Sequence, residues 1–194
     1  MNLGMLTVCG AGALGSHLVQ FLRSEKLLPI RVVDFDRVES HNLGSQFHGA
    51  QGRGKLKVQA LQQTMQFLWG AKLVATPTRL TADNVDAVLG GSELVVDCLD
   101  NAKGRRLVQQ FCEQAAIPCL HGALAAGGTY GRVVWSEHFV VDEEKVAGGH
   151  TCEDGAFLPF IALVSAYLAR SVQLFVKDGR RVGFEVTPTG PFAT

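Results

Sequence analysis

Three glycines, at positions 10, 12 and 15, and two aspartates, at 97 and 100, are the residues of this chain whose types and spacing can do chemistry together. Gly10-Ala11-Gly12-Ala13-Leu14-Gly15 reads G-x-G-x-x-G, directly after an apolar segment and at the start of a stretch with apolar residues at helical spacing. There the first glycine permits a tight turn, the second lets the backbone approach a phosphate, and the third lets a helix pack closely on its strand. The phosphate meets free N–H groups at the positive end of that helix. Asp34 follows Gly15 by nineteen residues and ends a second β-rich segment, where a carboxylate can accept hydrogen bonds from ribose hydroxyls. Asp97-Cys98-Leu99-Asp100-Asn101 puts two carboxylates at the end of another apolar segment. A phosphate cradle facing a carboxylate points to nucleotide and metal chemistry. The glycine motif alone leaves the nucleotide open, with a nicotinamide dinucleotide as the default.

These residues need elements to hold them. Residues 4–8 run straight into the glycines and read as a first, central strand, and Leu14, Leu18, Phe21 and Leu22 place a helix over residues 14–24. Ile30-Arg31-Val32-Val33-Asp34 reads as a second parallel strand, completing a βαβ unit. Residues 35–54 lose all periodicity, and a loop of that length in a compact domain is functional or mobile. Val58, Leu61, Met65 and Leu68 give the next helix its apolar face, residues 73–76 form a strand, and residues 83–89 form a short helix capped by Thr81 or Asp83. Residues 94–97 have the near-continuous apolar character of a parallel strand covered on both faces. A helix over 103–114, strands at 118–121 and 127–135, a second long loop at 137–154 and a helix over 159–175 follow. Residues 181–187 are expected to form a final edge strand before a Pro/Gly-rich tail.

Bulk properties fit one cytoplasmic domain spanning residues 1–194. Eighteen Lys and Arg balance eighteen Asp and Glu, which argues against nucleic acid or an anionic membrane as a partner. No apolar run is expected to span a bilayer, and no basic-then-apolar leader follows Met1. Cys9, Cys98, Cys112, Cys119 and Cys152 are odd in number with no Cys-x-x-Cys pair, against a disulfide framework or a tetrathiolate zinc site. His17, His41, His48, His121 and His138 show no ligand pattern and are assigned no chemistry.

Phe35-Asp36-Arg37-Val38-Glu39-Ser40-His41-Asn42-Leu43, then Gln46, Lys57, and Asp97-Cys98-Leu99-Asp100-Asn101 with Arg105 form an ordered series that a dehydrogenase does not need. The series resembles the ThiF/MoeB superfamily, which includes the activating enzymes for ubiquitin and related proteins, over residues 6–175. The resemblance implies an α/β fold: a Rossmann-like, mostly parallel sheet with helices on both faces, extended by further strands. It implies ATP with magnesium, adenylation of the C-terminal carboxylate of a small ubiquitin-like or sulfur-carrier protein, and a homodimer or heterodimer. By the same resemblance Lys57 contacts phosphate, Asp100 binds magnesium, and Asp36, Asn42, Gln46 and Arg105 join Gly10, Gly12, Gly15 and Asp34 around the nucleotide. Cys152, in the loop before the last helix, matches the place of a cysteine that attacks the acyl adenylate in some relatives.

Each residue also has a plainer reading. Lys57 can be a solvated helix residue, Asp100 a helix N-cap, Arg105 an exposed helix arginine and Cys152 a passive thiol; Asp97 is expected to be structural. The chain departs from the family where many members carry a phosphate-contacting arginine, having Ser45 there, with Arg37, Arg53 and Lys55 as substitutes to consider. The family's Cys-x-x-Cys zinc site is absent, and so is its N-terminal helical segment. The glycines from 122 to 131 suggest a channel for a diglycine-type tail. The alternatives are the same chemistry on a small molecule or tRNA base, a weakly active or inactive scaffold subunit of a heterodimeric activating enzyme, and an NAD-dependent oxidoreductase.

Overall fold

The computed structural model describes residues 4–23, 29–125, 127–141 and 155–194. Eight strands form one sheet: β1 (Met5–Cys9), β2 (Ile30–Val33), β3 (Leu73–Thr76), β4 (Ser92–Asp97), β5 (Cys119–Leu124), β6 (Gly131–Trp135), β7 (Phe184–Thr187) and β8 (Gly190–Ala193), in the order β3-β2-β1-β4-β5-β6-β7-β8. The first five are parallel and the last three antiparallel. Five helices cover the sheet: α1 (Ala13–Phe21), α2 (Lys57–Trp69), α3 (Val85–Leu89), α4 (Ala102–Gln114) and α5 (Leu158–Asp178).

Alternation along the strands sorts the core into two layers. Leu6, Val8, Val32, Leu94, Val96 and Leu120 face α1, α2 and α5, whereas Cys9, Val95 and Cys119 face α3 and α4. Strands buried on both faces account for the near-continuous apolar runs in the sequence. The order of connection reverses at β1, with β2 to one side and β4 to the other. In open sheets of this kind the ligand crevice lies at that reversal, beyond the carboxyl ends of the strands.

Several expectations change in detail. Leu68 is half exposed, so the buried face of α2 consists of Val58, Ala60, Leu61 and Met65. The residue at the N-cap of α3 is Asn84, in place of Thr81 or Asp83; its side chain makes no capping bond to the helix and instead accepts from the Thr81 N–H. The tail beyond Thr187 turns at Gly190 and returns as β8, which displaces β7 from the sheet edge. One helix, residues 155–178, is long and apolar enough by length and composition alone to cross a membrane, which corrects the expectation that no run reaches that length. Its apolarity has a local use: Ile161, Val164, Leu168 and Val172 are buried in the sheet's main core, and Ser165 Oγ donates to the Leu14 carbonyl.

Candidate functional site

Strand register assembles the site. Cys9 pairs with Val33 on one side and Asp97 on the other, so the chain leaves β1, β2 and β4 at one level. Gly10, Asp34 and Cys98 therefore emerge together.

The glycines of the loop are needed for different reasons. Gly10 has φ +98°, and a Cβ there would lie 2.8 Å from the Cys98 carbonyl oxygen; a Cβ on Gly15 would collide with the backbone oxygen of Gly10. These two close the turn and seat it on the residues after β4. Gly12 has φ −81° and nothing within 4 Å of an added Cβ. It borders open space. α1 has no side-chain cap, and among the described residues its first-turn N–H groups have no partner.

Asp34 ties the loop to β2: its Oδ2 accepts from Ala11 N–H at 2.7 Å and its Oδ1 from Asp36 N–H at 2.8 Å. Burial pushes its carboxyl up from the usual carboxylate value, against the opposing pull of both N–H groups and of Lys57. Each oxygen keeps a lone pair for a ribose hydroxyl. Lys57, at the start of α2, is buried, and among the described residues its Nζ has one long side-chain contact, 3.4 Å to Asp36 Oδ2. A solvated lysine does not sit this way; a buried ammonium with two uncommitted N–H bonds suits an arriving anion.

The loop of residues 35–54, which sequence alone leaves as functional or mobile, is laced to α1 and the glycine turn. His17 Nε2 donates to the Ser45 carbonyl at 3.2 Å, Ser16 Oγ accepts from Phe47 N–H at 2.9 Å, and His48 Nε2 donates to the Ala11 carbonyl at 2.8 Å. Asn42 is buried and caps its own turn, its Oδ1 accepting from Glu39 N–H. Gln46 Oε1 is buried with no hydrogen-bond partner. Ser45 is fully buried. Of the suggested substitute cations, Arg37 bonds the Gly54 carbonyl and Lys55 bonds Gln63.

After β4 the two aspartates separate in role. Asp97 is fully buried: Oδ1 accepts from Leu99 N–H at 2.9 Å, and Oδ2 lies 2.9 Å from His121 Nδ1 and 3.5 Å from Arg105 Nη1. Arg105 also donates to the Gly122 carbonyl at 2.8 Å, so its guanidinium is turned inward. Asp100 is exposed, and the N-cap of α4 is Asn101, whose Oδ1 accepts from Gly104 N–H at 2.8 Å. The Asp100 carboxylate has one long contact, Oδ1 accepting from Asn101 Nδ2 at 3.4 Å, and its Oδ2 has no hydrogen-bond partner among the described residues. Among the described residues no three His, Cys, Asp or Glu side chains gather as a metal cluster. A lone hard carboxylate fits magnesium, which takes most of its oxygens from phosphates and water.

Sequence reasoning missed the partners of Asp97. His121 Nε2 lies 2.8 Å from Ser136 Oγ, completing the Ser-His-Asp spacing of a hydrolase. Phe139 closes it: its ring stacks on His121 at 3.9 Å and 8°, while Gln109 holds its carbonyl. His121 and Asp97 are fully buried, so the relay is a clamp on the turn that carries Asp100. No local pattern in the sequence marks it.

The glycines from 122 to 131 are largely filled from above. A Cβ on Gly122 would meet Leu168, one on Gly131 Val164, and one on Gly128 Phe157. They admit α5 and its approach rather than line a channel, and Gly127 alone of this set borders open space. Burial pushes up the thiols of Cys9 and Cys98, and the neighbouring Cys112 followed by burial does so for Cys119. None of these three is a ready nucleophile. Cys152 lies outside the described residues.

A glycine turn, a buried lysine and an exposed carboxylate at the reversal point of an α/β sheet are the arrangement of a nucleotide-binding class of fold. Residues 5–169 match the ThiF family, and the chain belongs to it. It is 33% identical over 121 residues to the SAMP-activating enzyme E1 of Haloferax volcanii, covering 61% of this chain and 45% of that protein. The sulfur carrier protein adenylyltransferase of Thermus thermophilus is 34% identical over a stretch of the same length, with the same shares covered. The chain thus spans about half the length of these relatives. The crystal structure of E. coli MccB with succinimide has the same fold, with a TM-score of 0.79 at 14% identity over 98% of this chain and 62% of that one.

Proposed function

We propose that this protein uses ATP to adenylate the C-terminal carboxylate of a small ubiquitin-like or sulfur-carrier protein. One observation carries the reading: the uncapped start of α1 beside Gly12, the buried Lys57 against Asp36 after β2, and the exposed Asp100 after β4 all lie beyond the carboxyl ends of the parallel strands, where β1 meets its two neighbours. Such an arrangement is built for a polyphosphate. It exceeds what a dinucleotide's two phosphates need. Relatives that activate SAMP or adenylate a sulfur carrier support the acceptor class, and E. coli MccB, of the same fold, has a structure with ATP.

In the reaction, the carrier's carboxylate attacks the α-phosphorus, the bond to the bridging oxygen breaks, and pyrophosphate leaves. N–H groups at the start of α1 hold phosphate oxygens, and the Lys57 ammonium neutralises charge on the departing group. Asp34 orients the ribose. Asp100 is the residue that would hold a magnesium ion, whose chemistry there is to neutralise phosphate oxygens. Transfer of the acyl group to Cys152 is the proposed second step, and a homodimer or heterodimer the proposed assembly.

The test is partner-dependent exchange of labelled pyrophosphate into ATP with magnesium. Exchange that needs the carrier and disappears in Asp100→Asn supports the reading; absence of exchange from folded protein with its carrier overturns it. The buried Ser45 and the inward Arg105 favour a second reading, a scaffold subunit that stabilises an active partner. Calorimetry separates the two, because a scaffold without a working site shows no ATP binding.

A further inference from the structure

Ala11 is gripped at both ends of its backbone. Its N–H is donated to Asp34 Oδ2 at 2.7 Å, and its carbonyl accepts from His48 Nε2 at 2.8 Å. The first contact belongs to the nucleotide site already described. The second comes from a residue thirty-seven positions away that no motif marks.

In a planar trans peptide the carbonyl and the following N–H point to opposite sides. A donor that draws the Ala11 carbonyl toward the segment of residues 45–48 therefore turns the Gly12 N–H the other way. Gly12 N–H has no partner among the described residues, and Gly12 is the loop glycine that borders open space. His48 itself sits in poor surroundings for stability. It is 7% exposed, its Nδ1 is buried with no hydrogen-bond partner among the described residues, and leucine or valine would fill such a place without an orphaned atom. The groups whose charge it feels are Lys57 on α2 and His17 on α1.

We infer that His48 is a positioning residue that aims the Gly12 N–H into the crevice as a donor to a nucleotide phosphate. This deepens the function proposed above and rests on it. The imidazole needs only its Nε2–H for the task, so its role is geometric and independent of charge. A hydrogen bond to a charged phosphate oxygen is worth about a factor of ten in affinity.

The test uses the full chain with His48→Leu, which removes the donor, and His48→Gln, whose side-chain amide restores one at the same reach. In the ligand-free protein the Gly12 amide resonance should shift in His48→Leu and return toward the wild-type position in His48→Gln. By calorimetry His48→Leu should lose roughly tenfold in affinity for ATP and little for adenosine, which has no phosphate, and His48→Gln should recover most of the loss. An unmoved Gly12 resonance overturns the inference whether or not ATP binds. So does an equal loss for ATP and adenosine, the mark of a merely structural role. Wild-type protein that binds no ATP, with the resonance shift intact, counts instead against the proposed function.

Discussion

Lys57 and His48 are both kept inside the protein with fewer hydrogen bonds than burial calls for, and the two lead to different experiments. Replacing Lys57 with Met removes a buried ammonium held only by a 3.4 Å contact, so the fold should survive while pyrophosphate exchange drops by roughly 100-fold. A thermal melt beside the exchange assay checks both halves. For His48, burial lowers the ring's pKa from 6.5 to about 4, with Lys57 and His17 pushing the same way. Between those values the unfolded chain binds a proton that the folded chain refuses, so stability falls as pH drops through that window. The full gap corresponds to about 3 kcal/mol. Denaturant titrations from pH 7 to 4 should show this slope, reduced in His48→Leu. At this scale the family resemblance singled out Lys57 and Asp100 as candidates. It could not show that Lys57 is buried, that Asn101 caps α4 in place of Asp100, or that Arg105 turns inward to Asp97.

The loop between β1 and α1 is the element on which the site depends, and its glycines should respond in opposite ways. Gly12→Ala meets nothing within 4 Å, but its φ −81° and ψ −148° lie outside the usual α and β regions, so it should cost about 1 kcal/mol of stability while blocking phosphate approach and lowering ATP affinity. Gly15→Ala drives a Cβ into the Gly10 carbonyl and should destabilise the protein by several kcal/mol, read by denaturation. At the start of α4, Asn101→Ala removes the bond to Gly104 N–H and should cost about 1 kcal/mol, with a larger fractional loss of exchange because Asp100 loses its 3.4 Å contact with the Asn101 amide. Element identities were legible here because periods of two and near four are local properties of a chain. Boundaries, the cap of α3 and the return of the tail as β8 were less so: each depends on a side chain or strand reaching back to a partner, and composition does not encode that reach.

Across the whole molecule, α5 joins the antiparallel half of the sheet to the nucleotide half. Leu168 fills the space left by the missing side chain of Gly122 and packs with Leu14 of α1, so Leu168→Ala should open a cavity costing about 2–5 kcal/mol, measurable by denaturant unfolding. A matched loss of ATP affinity would show that α5 also braces α1 behind the phosphate loop. From the sequence alone came the parallel βαβ core, the glycine turn and the acidic strand end, because strand ends, turns and apolar faces follow from neighbouring residues, while the ThiF-type reading came from the resemblance of the series from Phe35 to Arg105. Only the folded chain decided which polar groups pair. His48 with Ala11, Asp97 with His121, and the glycines from 122 to 131 with α5 meet across long stretches of sequence. Hydrogen bonds depend on distance and direction in space, and those are fixed only when the sheet and its two helical layers have packed.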